Sequence, residues 1–169
     1  MKIIQNNKGE ILYVWMTAIC LFLILGVALT EILRVREAAW QIRAAGERAI
    51  VSGITRQWKE VFSGVREGYS ASFAYEEASS KWKKMISPIP ALAEMKGDLG
   101  LNASGQKEFG GGYLYQIKDF KVTLIEVLWQ DKSQTLEVTG VIKTEMVLGI
   151  GGLSFSMDIP IQAKYQRIF

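Results

Sequence analysis

Along the chain the hydrophobic rhythm changes twice. From Ile11 to Thr30 no residue is charged, and Leu, Ile, Val and Ala dominate. At about 1.5 Å of rise per residue this run covers roughly the 30 Å hydrocarbon core of a bilayer, so it predicts a transmembrane helix. A secretory signal would have an apolar core of about 7–15 residues and then small residues at a cleavage site. Here Glu31, Ile32, Leu33, Arg34, Val35 and Arg36 follow. They offer no such site, and the run is expected to stay with the mature protein.

Beyond the run the apolar residues space out but remain helical. Ile32, Val35, Ala39, Ile42, Ala49, Ile54, Trp58 and Val61 follow one another at sums of threes and fours, while Arg34, Glu37, Arg43, Glu47, Arg48 and Lys59 take other faces. One amphipathic helix is predicted to continue to near Phe62, where Ser63 and Gly64 interrupt it. A second helix is expected from about Ser72 to Ile86, with Ser72 as N-cap, acids early and lysines late, stopped by "SPIP". Ala91 to Gly112 reads as loop.

From Tyr113 the period becomes two. Val122 and Leu124 mark one strand and "DKSQ" a turn. Leu136, Val138, Gly140, Ile142, Thr144, Met146 and Leu148 alternate with polar neighbours, and "GIGG" turns the chain again. Leu153, Phe155, Met157, Ile159, Ile161, Ala163 and Tyr165 then alternate in the last segment. An antiparallel meander with one buried face follows. Pro160 has no N–H to give a ladder, which places the last strand at an edge or on a bulge. The fold class is therefore α+β, with a long N-terminal transmembrane and amphipathic helix packed on a C-terminal antiparallel meander. Boundaries are set at 1–9 for a short leader, 10–32 for the transmembrane helix and 33–62 for its amphipathic continuation. A short helix and loop region takes 63–112 and the sheet 113–169.

Composition narrows the function. The roughly 140 residues after the apolar run suffice for one ordinary domain. A formal charge of +3 from 20 basic and 17 acidic residues, well mixed, leaves no nucleic-acid footprint. The single cysteine, Cys20, lies in the apolar run, so no disulfide framework is expected outside it. Histidine is absent, which removes the commonest general base and metal ligand. "FGGGYLY" precedes a strand instead of opening a helix, so it reads as a loop and not a phosphate cradle. Glu76, Glu77, Lys81, Lys83 and Lys84 read as a solvated helix face, and "NAS" at Asn102 is a short glycosylation pattern. Trp15 suits a membrane interface, and Trp40 suits packing on the sheet or on a neighbouring subunit. No nucleophile, base and orienter can be assembled, so neither an enzyme nor a cofactor is expected.

A polar, Lys-containing leader "MKIIQNNKG", then an apolar helix that turns amphipathic, then a small antiparallel sheet, resembles a type IV pilin-like protein. Within that group the chain is most similar to the TadE-like minor pilins, or pseudopilins, of bacterial tight-adherence (Tad) systems. The resemblance implies prepilin-peptidase processing after Gly9, so that Glu10 begins the mature chain. It also implies storage in the cytoplasmic (inner) membrane with the C-terminal domain outside, assembly with other pilin-like subunits through the helix, and an assembly ATPase and platform proteins as partners. The pilin pattern expects a glutamate five residues after the cut, and Val14 stands there. Ala18, Gly26, Ala28, Ala38 and Ala39 offer small surfaces for helix–helix packing. Counting basic residues, Lys2 and Lys8 before the run against Arg34, Arg36, Arg43 and Arg48 after it, favours the opposite orientation, although long domains cross largely regardless of charge. The alternative is a single-pass anchored scaffold or binding protein of an envelope complex that forms no filament.

Overall fold

The structure is a computed structural model and describes residues 7–56, 73–74, 88–110, 112–130, 133–149 and 152–168. The chain divides into two compact units, Met1–Glu37 and Ala38–Phe169. Helix α1, Asn7–Arg56, contributes its first part to one unit and its last part to the other. Strand β1 is Phe73–Ala74, helix α2 is Pro88–Leu99, and β2 is Gln106–Phe109. The long strands are β3, Gly112–Gln130, β4, Ser133–Val147, and β5, Ser154–Ile168. An α+β chain with a long apolar N-terminal helix and a C-terminal antiparallel sheet results.

In the second unit β3, β4 and β5 form the expected meander, every pairing antiparallel, while β1 and β2 pair with different stretches of β3. Among the described residues β5 pairs only with β4, so Pro160, opposite Val141, lies on an edge strand as its missing donor requires. Along β4 the alternation holds: Leu136, Val138, Ile142, Thr144 and Met146 are buried. Thr144 is the polar member of that row, and its hydroxyl donates to the Met157 carbonyl at 3.0 Å. In β3 the parity slips at register shifts between Ile117 and Asp119 and between Val122 and Leu124. Tyr115 and Ile117 point inward before the first bulge, Phe120 and Val122 after it.

Helix α1 covers this sheet with Ile42, Ala45, Ala49, Ile50 and Ile54, all buried. Ile32, counted with the same stripe in the sequence, is exposed, and Val35 is half-buried. Gly46 has a packing reason: a Cβ there would stand 2.7 Å from Ile142 Cδ1 and 3.4 Å from Ile161 Cγ2. The helix approaches the sheet closely because that position has no side chain.

Three expectations are corrected. "SPIP" opens a helix where it was expected only to close one: Pro88 is the first residue of α2, a position at which a missing N–H breaks no intrahelical bond. Ala91, Met95 and Leu99, spaced by fours, are buried in the core, so the stretch from 91 to 112 is not all loop. α2 ends in a Schellman motif, with Gly100 at φ +60°, Leu101 N–H donating to the Lys96 carbonyl and Gly100 N–H to that of Gly97. Lys107 Nζ donates to the Leu99 carbonyl at 2.6 Å and completes the cap. Phe73 and Ala74 were expected to begin the helix over 72–86. They pair instead with Ile125 and Leu124. The rest of that helix, its Glu and Lys cluster, and Trp58 to Gly64 lie outside the described residues.

Candidate membrane-spanning helix

α1 holds one stretch long and apolar enough to cross a membrane, and none of its most apolar part is buried. Ile11, Leu12, Trp15, Ile19, Phe22 and Leu23 are exposed, with Phe22 at 80%. A helix bare of partners among the described residues and free of charge over a bilayer's thickness suits a solvent of hydrocarbon. Its two threonine hydroxyls are provided for locally. Thr17 Oγ1 donates to the Tyr13 carbonyl at 2.8 Å and Thr30 Oγ1 to the Val27 carbonyl at 2.7 Å, so neither hydroxyl needs water. At the far end Arg34 Nη2 pairs with Glu31 Oε2 at 2.7 Å, neutralising the first two charges after the run.

Gly9 and Glu10 lie in the first turn of α1, where an acid is favoured by the helix dipole. Ala18 is exposed, Ala28 is half-buried, and a Cβ on Gly26 would meet nothing within 4 Å. At 100° per residue Gly26 and Ala28 fall about 80° to either side of Ala18, so these three do not share a face. Ala38 and Ala39 belong to the other unit and pack partly against its core. Cys20 is exposed on the helix.

Part of the sheet unit's surface carries matched charges. Lys118 Nζ reaches Glu145 at 2.9 Å, and Lys164 Nζ reaches Glu137 at 2.9 Å with Gln162 donating to the same carboxylate. The Lys164 hydrogen bond holds the Glu137 carboxyl below the usual range, and the Lys118 hydrogen bond does the same for Glu145. Burial pushes the Tyr115 phenol up, and its hydroxyl has no hydrogen-bond partner among the described residues. Asn102 Nδ2 is engaged by Glu108 at 2.9 Å and Gln106 at 3.3 Å, which leaves the "NAS" acceptor tied into its own turn. Within "FGGG", Phe109 of β2 pairs with Gly112 of β3, and Gly110 has φ +58°. Among the described residues no group of three or more His, Cys, Asp or Glu is placed to hold a metal ion. Comparison with family models, with curated proteins and with solved structures gives no match to this chain.

Proposed function

We propose that this chain is a TadE-like, type IV pilin-like minor pilin, a membrane-stored subunit for a Tad or type IV-like pilus or secretion filament. The observation that carries the reading is α1 itself, one helix whose uncharged part up to Thr30 is bare and whose part from Ile42 to Ile54 is built into a sheet domain. That division suits storage and display: the first part rests in lipid and later packs on other helices, while the second presents the domain. The subunit sits in the inner membrane as a single pass with the C-terminal domain outside. Prepilin peptidase, the assembly ATPase and its platform are its working partners, and no catalysis is assigned to it.

Processing tests the reading. If peptidase cuts after Gly9, the chain from its native host begins at Glu10 and has lost Lys2 and Lys8, two of its 20 basic residues. Intact mass reads this directly. Gly9→Leu should leave a longer precursor in the membrane and no subunit in filaments. A mature species still carrying Met1 or Lys2 removes the processing claim. The second reading, an anchored scaffold without a filament, draws on Val14 in place of the pilin glutamate and on the scatter of Ala18, Gly26 and Ala28 around the helix.

A further inference from the structure

Four strands reach one end of the sheet. Lys107, Tyr115, Met146 and Phe155 form a row across β2, β3, β4 and β5, and beyond it lie Phe109 and Gly110 at one tip and Leu148, Gly149, Gly152 and Leu153 at the other. The core gives out along this row. Tyr115 and Met146 are fully covered, Phe155 is 38% exposed, and past it Leu153 and Phe109 are 66% and 67% exposed. Both tips lie in uncharged sequence. No Asp, Glu, Lys or Arg occurs from 109 to 117, nor in the twelve residues from Met146 to Met157, the longest such run outside the span.

We infer that these two hairpin tips form a second lipid contact, in which Phe109, Leu153 and Phe155 rest in the headgroup layer of a bilayer. The occupant follows from area and charge. The three side chains leave on the order of 300 Å² of apolar surface in water, well under the roughly 800 Å² that each partner of a stable protein complex buries. A lipid surface accepts apolar side chains one at a time and asks for no matching charge. The depth follows from the backbone. The β4–β5 turn is closed by Leu148 N–H donating to the Leu153 carbonyl at 2.8 Å, but turn residues keep polar groups outside the ladder. Such groups are tolerated where headgroups and water remain, not in hydrocarbon. The inference rests on the membrane reading of α1, since a chain tethered by a span keeps a bilayer at high effective concentration.

Spin-label accessibility in the full chain, reconstituted in phosphatidylcholine and phosphatidylglycerol vesicles, tests it. Three single-cysteine proteins are labelled: the natural Cys20, Leu153→Cys and Lys143→Cys, the last two carrying Cys20→Ser. Each is relaxed by dissolved oxygen, which concentrates in lipid, and by a water-soluble nickel chelate. The label at 153 is expected to show an oxygen-to-nickel ratio several-fold above that at 143, and Phe109→Cys should repeat the result. Equal ratios at 153 and 143 overturn the inference while a lipid-like reading at 20 leaves the anchor standing. A label at 153 shielded from both agents means a protein covers the tip and overturns it too. A water-like reading at 20 overturns the anchor and this inference together.

Discussion

Gly140, on the covered face of β4, gives the most direct test of how the sheet is packed. A Cβ there would come within 2.7 Å of the Lys121 carbonyl oxygen and 3.4 Å of two Ile161 carbons. Carbon and carbonyl oxygen normally meet at about 3.3–3.6 Å, so Gly140→Ala is short by roughly 0.6–0.9 Å. The oxygen is backbone, next to the bulge between Val122 and Leu124, and it moves only if β3 moves. Overpacking of this kind costs about 1–3 kcal/mol, offset by about 0.5–1 kcal/mol from the lower backbone entropy of alanine in the unfolded chain. The expected net loss is about 1–2 kcal/mol, or a Tm lower by about 2–8 °C for a chain of this size. Gly46→Ala meets the movable end of Ile142 at the same 2.7 Å and gains about 1 kcal/mol of helix propensity, so it should be the milder change. Thermal melts of the three proteins in one detergent, followed by circular dichroism, decide the order. A Gly140→Ala protein as stable as the parent would refute the packing argument.

Other expected outcomes follow from single groups. Tyr115→Phe removes a buried hydroxyl without a partner and should leave stability unchanged or raise it by about 1–2 kcal/mol, read by urea unfolding; a loss of that size would show that the hydroxyl is bonded. The same phenol has a raised pKa, so its contribution is complete below about pH 10 and is lost as pH climbs toward the folded value, a slope that Tyr115→Phe should remove. Glu137 and Glu145 have lowered pKa values, so their contribution is complete above about pH 4.3 and is lost as pH falls through the folded values. Unfolding measured between pH 6 and pH 3 should show that loss, and Lys164→Met should reduce it. Gly100→Ala forces a side chain into the left-handed region at the end of α2 and should cost about 1–2 kcal/mol by the same measurement.

Elements with one period were legible from the residues alone. The uncharged run and the strict alternation of β4 and β5 each declare their type without help from tertiary contacts, and Pro160 located the edge. β3 was blurred because its register shifts between Ile117 and Asp119 and again between Val122 and Leu124, so no single alternation runs through it. α2 was missed because its prolines were read as an end, although Ala91, Met95 and Leu99 already had helical spacing. Phe73 and Ala74 are too few to show a period, and their partners lie about 50 residues away along the chain. The long apolar helix could be read because its signal, an uncharged run of bilayer length, needs no tertiary contact. The apolar hairpin tips could not. Phe155 and Leu153 continue the alternation of the buried Ile159 and Ile161, and register and exposure alone separate the covered rows from the bare end.

Fractionation of the native host tests the central claim, that α1 stores the chain in a membrane and then carries it into an assembly. Cells are sheared, the released filaments are collected, and the remaining membranes are extracted with alkaline carbonate; the chain is followed through each fraction by immunoblot. The account predicts two pools, one in the carbonate-resistant membrane pellet and one in the sheared filaments. A chain found in the pellet alone would contradict assembly and leave the anchored scaffold, and a chain released by carbonate would contradict the membrane helix itself.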